Sequence, residues 1–380
     1  MPARTRLWTP VFALLWGSSF LVFLSFYLLL PVLPLYVLQR GIPESVLGFV
    51  IGAFALTAMV LKPWVGWALD WRGRRGLVVA GAALFALATL LYPLAASATA
   101  FLVVRMLHGA GMGLFPTAGV AVVADLAPPE RRGEAMGLFG MASNLAMAVG
   151  PVLGVAVEQG VGFVPLCLGS AALAGLGTAL ATRLPETGRP GSAPPFRLTG
   201  LFAPAALHPA AVTLVVFLPY GAVLSFLPLL MRARAVGNPG AFFTLMALAL
   251  LAVRTRAGRL SDRWGRRAVA VPALVTLAAA LFLLAVASHA AWTIYLAGIL
   301  FGLALGAAQP VLIAWTADTV EPRDRGKALG TFYTAWELGI GGGSIVFGLL
   351  LPLGGFEALY AGGALLALGG AALALAGRRR

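Results

Sequence analysis

Twelve apolar stretches separated by short polar breaks run along this chain, at about 11–38, 45–68, 76–96, 100–124, 135–157, 161–182, 209–231, 241–256, 268–287, 291–316, 328–351 and 356–377. Most are close to the ~20 residues that carry a helix across a bilayer. Water cannot be the main solvent of such a chain. Of its 380 residues 60% are hydrophobic and only 11% charged, too few charges to cover a soluble surface of that size. In hydrocarbon the backbone must satisfy its own polar groups, and segments of this length do so as helices. The expected fold class is an all-α integral membrane protein with twelve transmembrane helices, the eighth being the shortest.

The twelve divide into two sets of six. The string Gly-x-x-x-Asp-x-x-Gly-Arg-Arg occurs as Gly66, Asp70, Gly73, Arg74 and Arg75, and again as Gly258, Asp262, Gly265, Arg266 and Arg267, an offset of 192. A second pair of segments, 125–139 and 318–332, agrees at an offset of 193. Two separate matches at nearly one offset mark an internal repeat of half the chain, a pattern of secondary transporters. Residues 1–183 and 208–380 are therefore read as two pseudo-symmetric six-helix bundles. The segment 184–207 between them, with Pro185, Pro190, Pro194, Pro195, Pro204, Gly188 and Gly191, reads as a cytoplasmic linker.

Loop charge sets the expected orientation. Of the 27 Lys and Arg, 21 fall at the termini or after even-numbered stretches, while only Arg40, Arg232 and Arg234 follow odd-numbered ones. Both termini should then be cytoplasmic. The net charge of +14 resides in these short loops and in the Arg378-Arg379-Arg380 tail, so a basic face against anionic lipid accounts for it without a nucleic-acid partner. The first stretch is too long for a leader core and carries Pro31 and Pro34, so it reads as the first helix. Cys167, alone in a Gly/Ala-rich stretch, reads as packing. No nucleotide loop, His-Glu-x-x-His site or other catalytic constellation stands in the sequence, so no enzyme, metal or cofactor is expected.

Four motifs together carry a resemblance. The doubled loop string is the first. Arg105-Met-Leu-His-Gly-Ala-Gly in the fourth stretch fits an Arg-x-x-x-Gly-x-Gly pattern. Gly140 to Gly154 in the fifth holds a Gly150-Pro151-x-x-Gly154 core, and Leu33-Pro34-Leu35-Tyr36 ends the first. On these residues the chain resembles the major facilitator superfamily along essentially its full length, and within it the bacterial drug:proton antiporters. One departure is Val155, where the fullest antiporter pattern has a second glycine. The resemblance implies a monomer in the cytoplasmic (inner) membrane, working by alternating access. It would have a small-molecule substrate, protons and membrane lipid as partners. Proton-coupled efflux of a small amphiphilic or hydrophobic compound is the leading expectation. The alternative is proton-coupled or facilitated uptake of a small nutrient or metabolite, against which the Gly150-Pro151 pattern speaks.

The residues themselves suggest jobs. Asp70 can pair with Arg74 and Arg75 across the tight turn that Gly73 permits, and Asp262 can do the same with Arg266 and Arg267. Such clusters can latch and release the cytoplasmic side, or they can merely fix topology. A charge at the hydrocarbon centre costs at least ~2.5–3.5 kcal/mol, so intramembrane charges are functional candidates. Glu337 is the only carboxyl expected deep in the membrane, about ten residues into the eleventh stretch. Desolvation penalises its charged form, which suits a group that binds and releases a proton. The offset places it opposite Asn144. Arg105, opposite Gly298, keeps its charge and can act on a nearby acid or anion, or simply bond to carbonyls. His108, one turn later, is either a relay or a satisfied polar contact. Lys62 and Arg254 are expected to snorkel outward, and Gly339, Gly341, Gly342 and Gly343 to loosen the helix beside Glu337.

In the fold the resemblance implies, the first, fourth, seventh and tenth helices line a pocket. Ser25, Phe26, Tyr27, Phe115, Tyr220, Phe226, Gln309 and Trp315 are its candidate lining, with Asn144 from the fifth. Only two Asn and three Gln occur in the whole chain. That scarcity suits an apolar cargo better than a sugar with many hydroxyls to satisfy.

Overall fold

The structure, a computed structural model, describes residues 7–188, 191, 202–287 and 290–376. The Arg378-Arg379-Arg380 tail and the linker prolines Pro190, Pro194 and Pro195 lie outside the described residues. Twelve α-helices are assigned among them: α1 (Pro10–Leu29), α2 (Leu33–Gln39), α3 (Glu44–Arg72), α4 (Arg75–Leu91), α5 (Ala98–Leu126), α6 (Arg132–Val161), α7 (Phe163–Ala181), α8 (Leu207–Ala233), α9 (Pro239–Trp264), α10 (Arg266–Val286), α11 (Ala291–Asp318) and α12 (Arg325–Ala376). Eleven are long and apolar enough to cross a membrane. The last of these, 52 residues long, is divided by Gly355 at φ 67° and ψ −170°, which makes twelve crossing segments. The chain is a multi-pass membrane protein. Large apolar side chains such as Leu353, Leu94 and Leu365 face outward, as a lipid-solvated surface requires.

Three boundaries depart from the hydropathy pattern. The first stretch is two helices, because Pro31 lies in the three-residue turn that separates α1 from α2. A proline supplies no N–H to the ladder and its ring crowds the preceding turn. The eighth helix, expected at 241–256, is α9 and extends to Trp264, so it is not the shortest. Hydropathy marks where lipid begins and ends, and this helix continues past it through Arg256, Arg259 and Arg263. At the other end Asn238 caps it, its Oδ1 accepting from Gly240 N at 2.7 Å and Ala241 N at 3.2 Å, with Pro239 at the first position. Finally, the break between the last two stretches is a kink at one glycine rather than a loop.

The chain divides into two compact units, residues 1–32 with 57–196 and residues 33–56 with 197–380. In unit 1, α1 packs on α6 and α7, and α4 packs on α5 and α7. Its core includes Phe12, Phe23, Phe85, Phe115 and Phe139. In unit 2 the pairing repeats: α8 on α12, and α10 on α11 and α12, with α9 on α11. Unit 2 also holds α2 and the start of α3. Gly48 abuts the Ser344 carbonyl and Gly52 the Gly341 carbonyl, so a methyl at either would collide with backbone of α12. Small residues let helices approach closely where lipid offers no hydrophobic drive between them.

Candidate functional site

The arginine loops have the same frame in both units. Arg74 Nε donates to Asp125 at 3.0 Å and its Nη1 to the Leu69 carbonyl at 2.8 Å, with Asp70 3.7 Å away. In unit 2 Arg266 Nε donates to Asp318 at 2.8 Å, and its Nη1 to the Ser261 hydroxyl at 2.9 Å and to Asp262. Both turns pivot on glycine in the left-handed region, Gly73 at φ 88° and Gly265 at φ 92°. A side chain there would strain the backbone, so the glycine of each string is set by the turn. Gly66 and Gly258 have open space where a Cβ would stand and carry no such constraint. Arg75 opens α4, while the Arg267 guanidinium stands 5.6 Å over the Trp315 ring.

Asp125 and Asp318 are not among the candidate residues drawn from the sequence. They are the partners of the two loop arginines, and their signal was their place at the head of the second repeat match. Unit 1 adds a further carboxylate. Glu186 accepts from Arg74 N at 2.7 Å and Arg75 N at 3.2 Å, and Thr187 donates to Asp125 at 2.9 Å. An anion on the first turn of α4 is favoured by the unpaired N–H groups and the helix dipole.

Buried ionisable side chains are few among the described residues, and the two units do not share them. In unit 1, Arg105 and His108 are 6% and 1% exposed. Tyr92, at the end of α4, lies between them: Arg105 Nη1 donates to its hydroxyl at 3.4 Å, and that hydroxyl is 2.9 Å from His108 Nδ1. Arginine only donates, so the tyrosine oxygen accepts from it, and the direction of the hydroxyl–Nδ1 hydrogen bond follows the His108 tautomer. Phe85 and Phe26 stand edge-on to the imidazole at 4.6 and 5.7 Å. Arg105 is thus held against Tyr92. No motif signalled Tyr92.

In unit 2 Glu337 is the one buried carboxylate among the described residues, 5% exposed on the first arm of α12. Trp336 beside it stacks on Phe217 at 4.0 Å. The following glycines do not loosen the helix: α12 stays helical there, Gly343 abuts the Leu218 carbonyl, and a Cβ on Gly339 would stand 2.6 Å from that of Phe217. Gly339, Gly341 and Gly343 are close-contact points, and Gly342 is not. Arg254 does not simply snorkel outward, since its Nη1 donates to Gln309 Oε1 at 3.0 Å.

The Gly150-Pro151-x-x-Gly154 core has a similar job in unit 1. A Cβ on Gly150 would lie 2.7 Å from that of Tyr27, and Gly154 abuts the Leu28 carbonyl, so α6 is seated on α1 around Tyr27. The helix runs through Pro151, and Gly140 has open space where a Cβ would stand. Among the pocket candidates, Ser25, Phe115 and Phe226 are fully buried. Membrane-helix aromatics serve packing before they serve ligands. Phe26, Tyr27, Asn144, Tyr220, Gln309 and Trp315 are partly exposed. Trp315 lies beside His208, in a cavity at the arginine-loop end of unit 2.

The family model described as Major Facilitator Superfamily matches residues 15–254 and 210–380. The staphylopine export protein of Staphylococcus aureus is 26% identical over 342 residues, 86% of each chain. Multidrug resistance protein 2 of Bacillus subtilis is 28% identical over 144 residues, 38% of this chain and 36% of that protein. The crystal structure of the nucleoside transporter NupG superposes with a TM-score of 0.83 at 14% identity, covering 96% of this chain and 99% of that one.

Proposed function

Because this chain belongs to the major facilitator superfamily, we propose that it exports a small amphiphilic or hydrophobic compound in exchange for protons, by alternating access in a bacterial inner membrane. It is a transporter rather than an enzyme. A relative that matches along 86% of its length is an export protein by name, and a second is a multidrug resistance protein, which supports the outward direction. Coupling rests on one observation. Glu337 is buried in the membrane-spanning part of unit 2 at a position where the repeat has Asn144, so one half can titrate there and the other cannot.

In this reading Glu337 takes a proton from the outer side and discharges it inside as its access to water alternates between the two states. Arg105 supplies a fixed positive charge near the outer end of α5, and its chain through Tyr92 orients His108. Tyr27 with Phe26 in unit 1, and Tyr220 in unit 2, are each weakly polar aromatic groups that suit such a substrate. The paired Arg74 and Arg266 frames act as the gates at the cytoplasmic end.

Proteoliposomes loaded with a panel of amphiphilic dyes test the reading. An imposed pH gradient should drive a dye uphill, in the direction opposite to the proton. Dye and proton moving in the same direction would make the protein an importer and overturn the proposal.

A further inference from the structure

Arg254, Arg256, Arg259 and Arg263 stand within ten residues of α9, and none has a carboxylate partner among the described residues. Two acids at this end of unit 2, Asp262 and Asp318, are both committed to Arg266. Arg256, Arg259 and Arg263 recur at spacings of three and four, so they share one helix face, and all three are exposed. At the matching positions unit 1 has Trp64, Trp67 and Trp71, so this row of charge belongs to unit 2 alone.

Arg254 is placed differently. It is partly buried and lies ten residues before the helix ends at Trp264, about 15 Å by helical rise. Its Nη1 donates to Gln309 Oε1 on α11 at 3.0 Å, and Tyr333 of α12 lies within its electrostatic reach. Both neighbours are neutral side chains. A guanidinium carries five N–H donors and a permanent charge, and one amide oxygen neutralises none of that charge. Charges within a membrane-spanning segment are as a rule paired, so Arg254 stands out as a cation without its anion among the described residues. Beside this polar corner α12 presents Tyr333 and Trp336, their rings 6.3 Å apart.

Taking the chain as the carrier of amphiphiles proposed above, we propose that its cargo is an anionic amphiphile whose oxyanion group seats on Arg254. The Gln309 amide N–H is a second donor to that group, and Tyr333 and Trp336 take the apolar body. The exposed row of Arg256, Arg259 and Arg263 raises the local concentration of such an anion at the arginine-loop end and speeds its arrival. With its charge matched by Arg254, the bound cargo adds no net negative charge near Glu337, one turn beyond Tyr333 on α12, so it is compatible with proton exchange there.

Fluorescein and rhodamine 123 share a xanthene ring system and differ in the sign of their charge. Their binding to the full-length protein in phosphatidylcholine nanodiscs is read by fluorescence polarisation at mildly alkaline pH. Fluorescein should bind about tenfold tighter or more. Arg254→Gln should remove about tenfold of that preference, the worth of one charge-assisted hydrogen bond, and Arg254→Lys should keep most of it. Changing Arg256, Arg259 and Arg263 together to Gln should slow fluorescein association several-fold at low salt and not at high salt. Binding is read without reference to direction, so dye and proton moving the same way would sink the export reading and leave this one standing. Equal binding of the two dyes, binding of neither, or fluorescein binding undiminished in folded Arg254→Gln overturns it. So does phosphatidylglycerol retained through Arg254 in native mass spectra with fluorescein unbound, which assigns the arginine to lipid.

Discussion

Away from its arginine loop, unit 1 holds a buried polar chain, Arg105 to Tyr92 to His108, whose matching positions in unit 2 are all apolar. The matching positions of unit 2 are Leu284 or Ala285 for the tyrosine, Gly298 for the arginine and Phe301 for the histidine. The space over Gly298 is taken by the Phe242 ring, 2.9 Å from where a Cβ would stand. Glu337 is the reverse case, a buried acid in unit 2 facing Asn144 in the repeat. Close-contact glycines and loop arginines, by contrast, recur in both units. Duplication kept the frame, and ionisable groups were placed on one copy or the other. Since each costs free energy in hydrocarbon, each unshared charge is a candidate for what the molecule does beyond folding.

If the frame is shared, breaking it should hurt both units alike. Gly150→Val and Gly343→Val each drive a side chain into a neighbouring backbone, and each should cost about 3 kcal/mol or more, read as a lowered unfolding midpoint in detergent. Gly140→Val, with open space at its Cβ, should be near neutral. Tolerance of one glycine change and not the other would break the equivalence of the halves.

The unshared chain sharpens the contrast. Tyr92→Phe removes the hydroxyl that joins Arg105 to His108 and should destabilise by about 1–3 kcal/mol, because two buried groups each lose a hydrogen bond. A Phe variant as stable as wild type, by the same unfolding assay, would mean that the chain is incidental. The two arginine frames should differ by less. Asp125 is 30% exposed and also accepts from Thr187, whereas Asp318 is 50% exposed. Asp125→Asn should therefore cost about 1 kcal/mol and Asp318→Asn a few tenths. Equal losses would argue that the linker-side contacts contribute nothing.

Most of the frame could be read from the chain, because the lipid slab imposes one length on every crossing and the repeat confirms itself at a fixed offset. Helix ends were less legible. Arg256, Arg259 and Arg263 look like loop residues in hydropathy yet continue α9, since helix geometry does not stop where lipid does. Of the candidate site, Glu337, Arg105 and His108 stood out as charges in apolar runs. Their partners did not. Tyr92 lies in no motif, and Glu186 sits in a segment whose composition reads as linker, so only tertiary contact brings it to α4. Phe115 and Phe226 looked like pocket aromatics, but a sequence without register to its neighbours cannot tell a packed ring from an accessible one.

The asymmetry at Glu337 is tested most directly by counting protons. Purified protein in unbuffered detergent solution near neutral pH, with a pH-indicator dye, should release a proton when a transported dye binds, because substrate displaces the proton from the carboxyl. Glu337→Gln should bind the same dye and release none, while Asn144→Asp in unit 1 leaves the release intact. Proton release of wild-type size from Glu337→Gln would contradict the account and move the coupling group elsewhere.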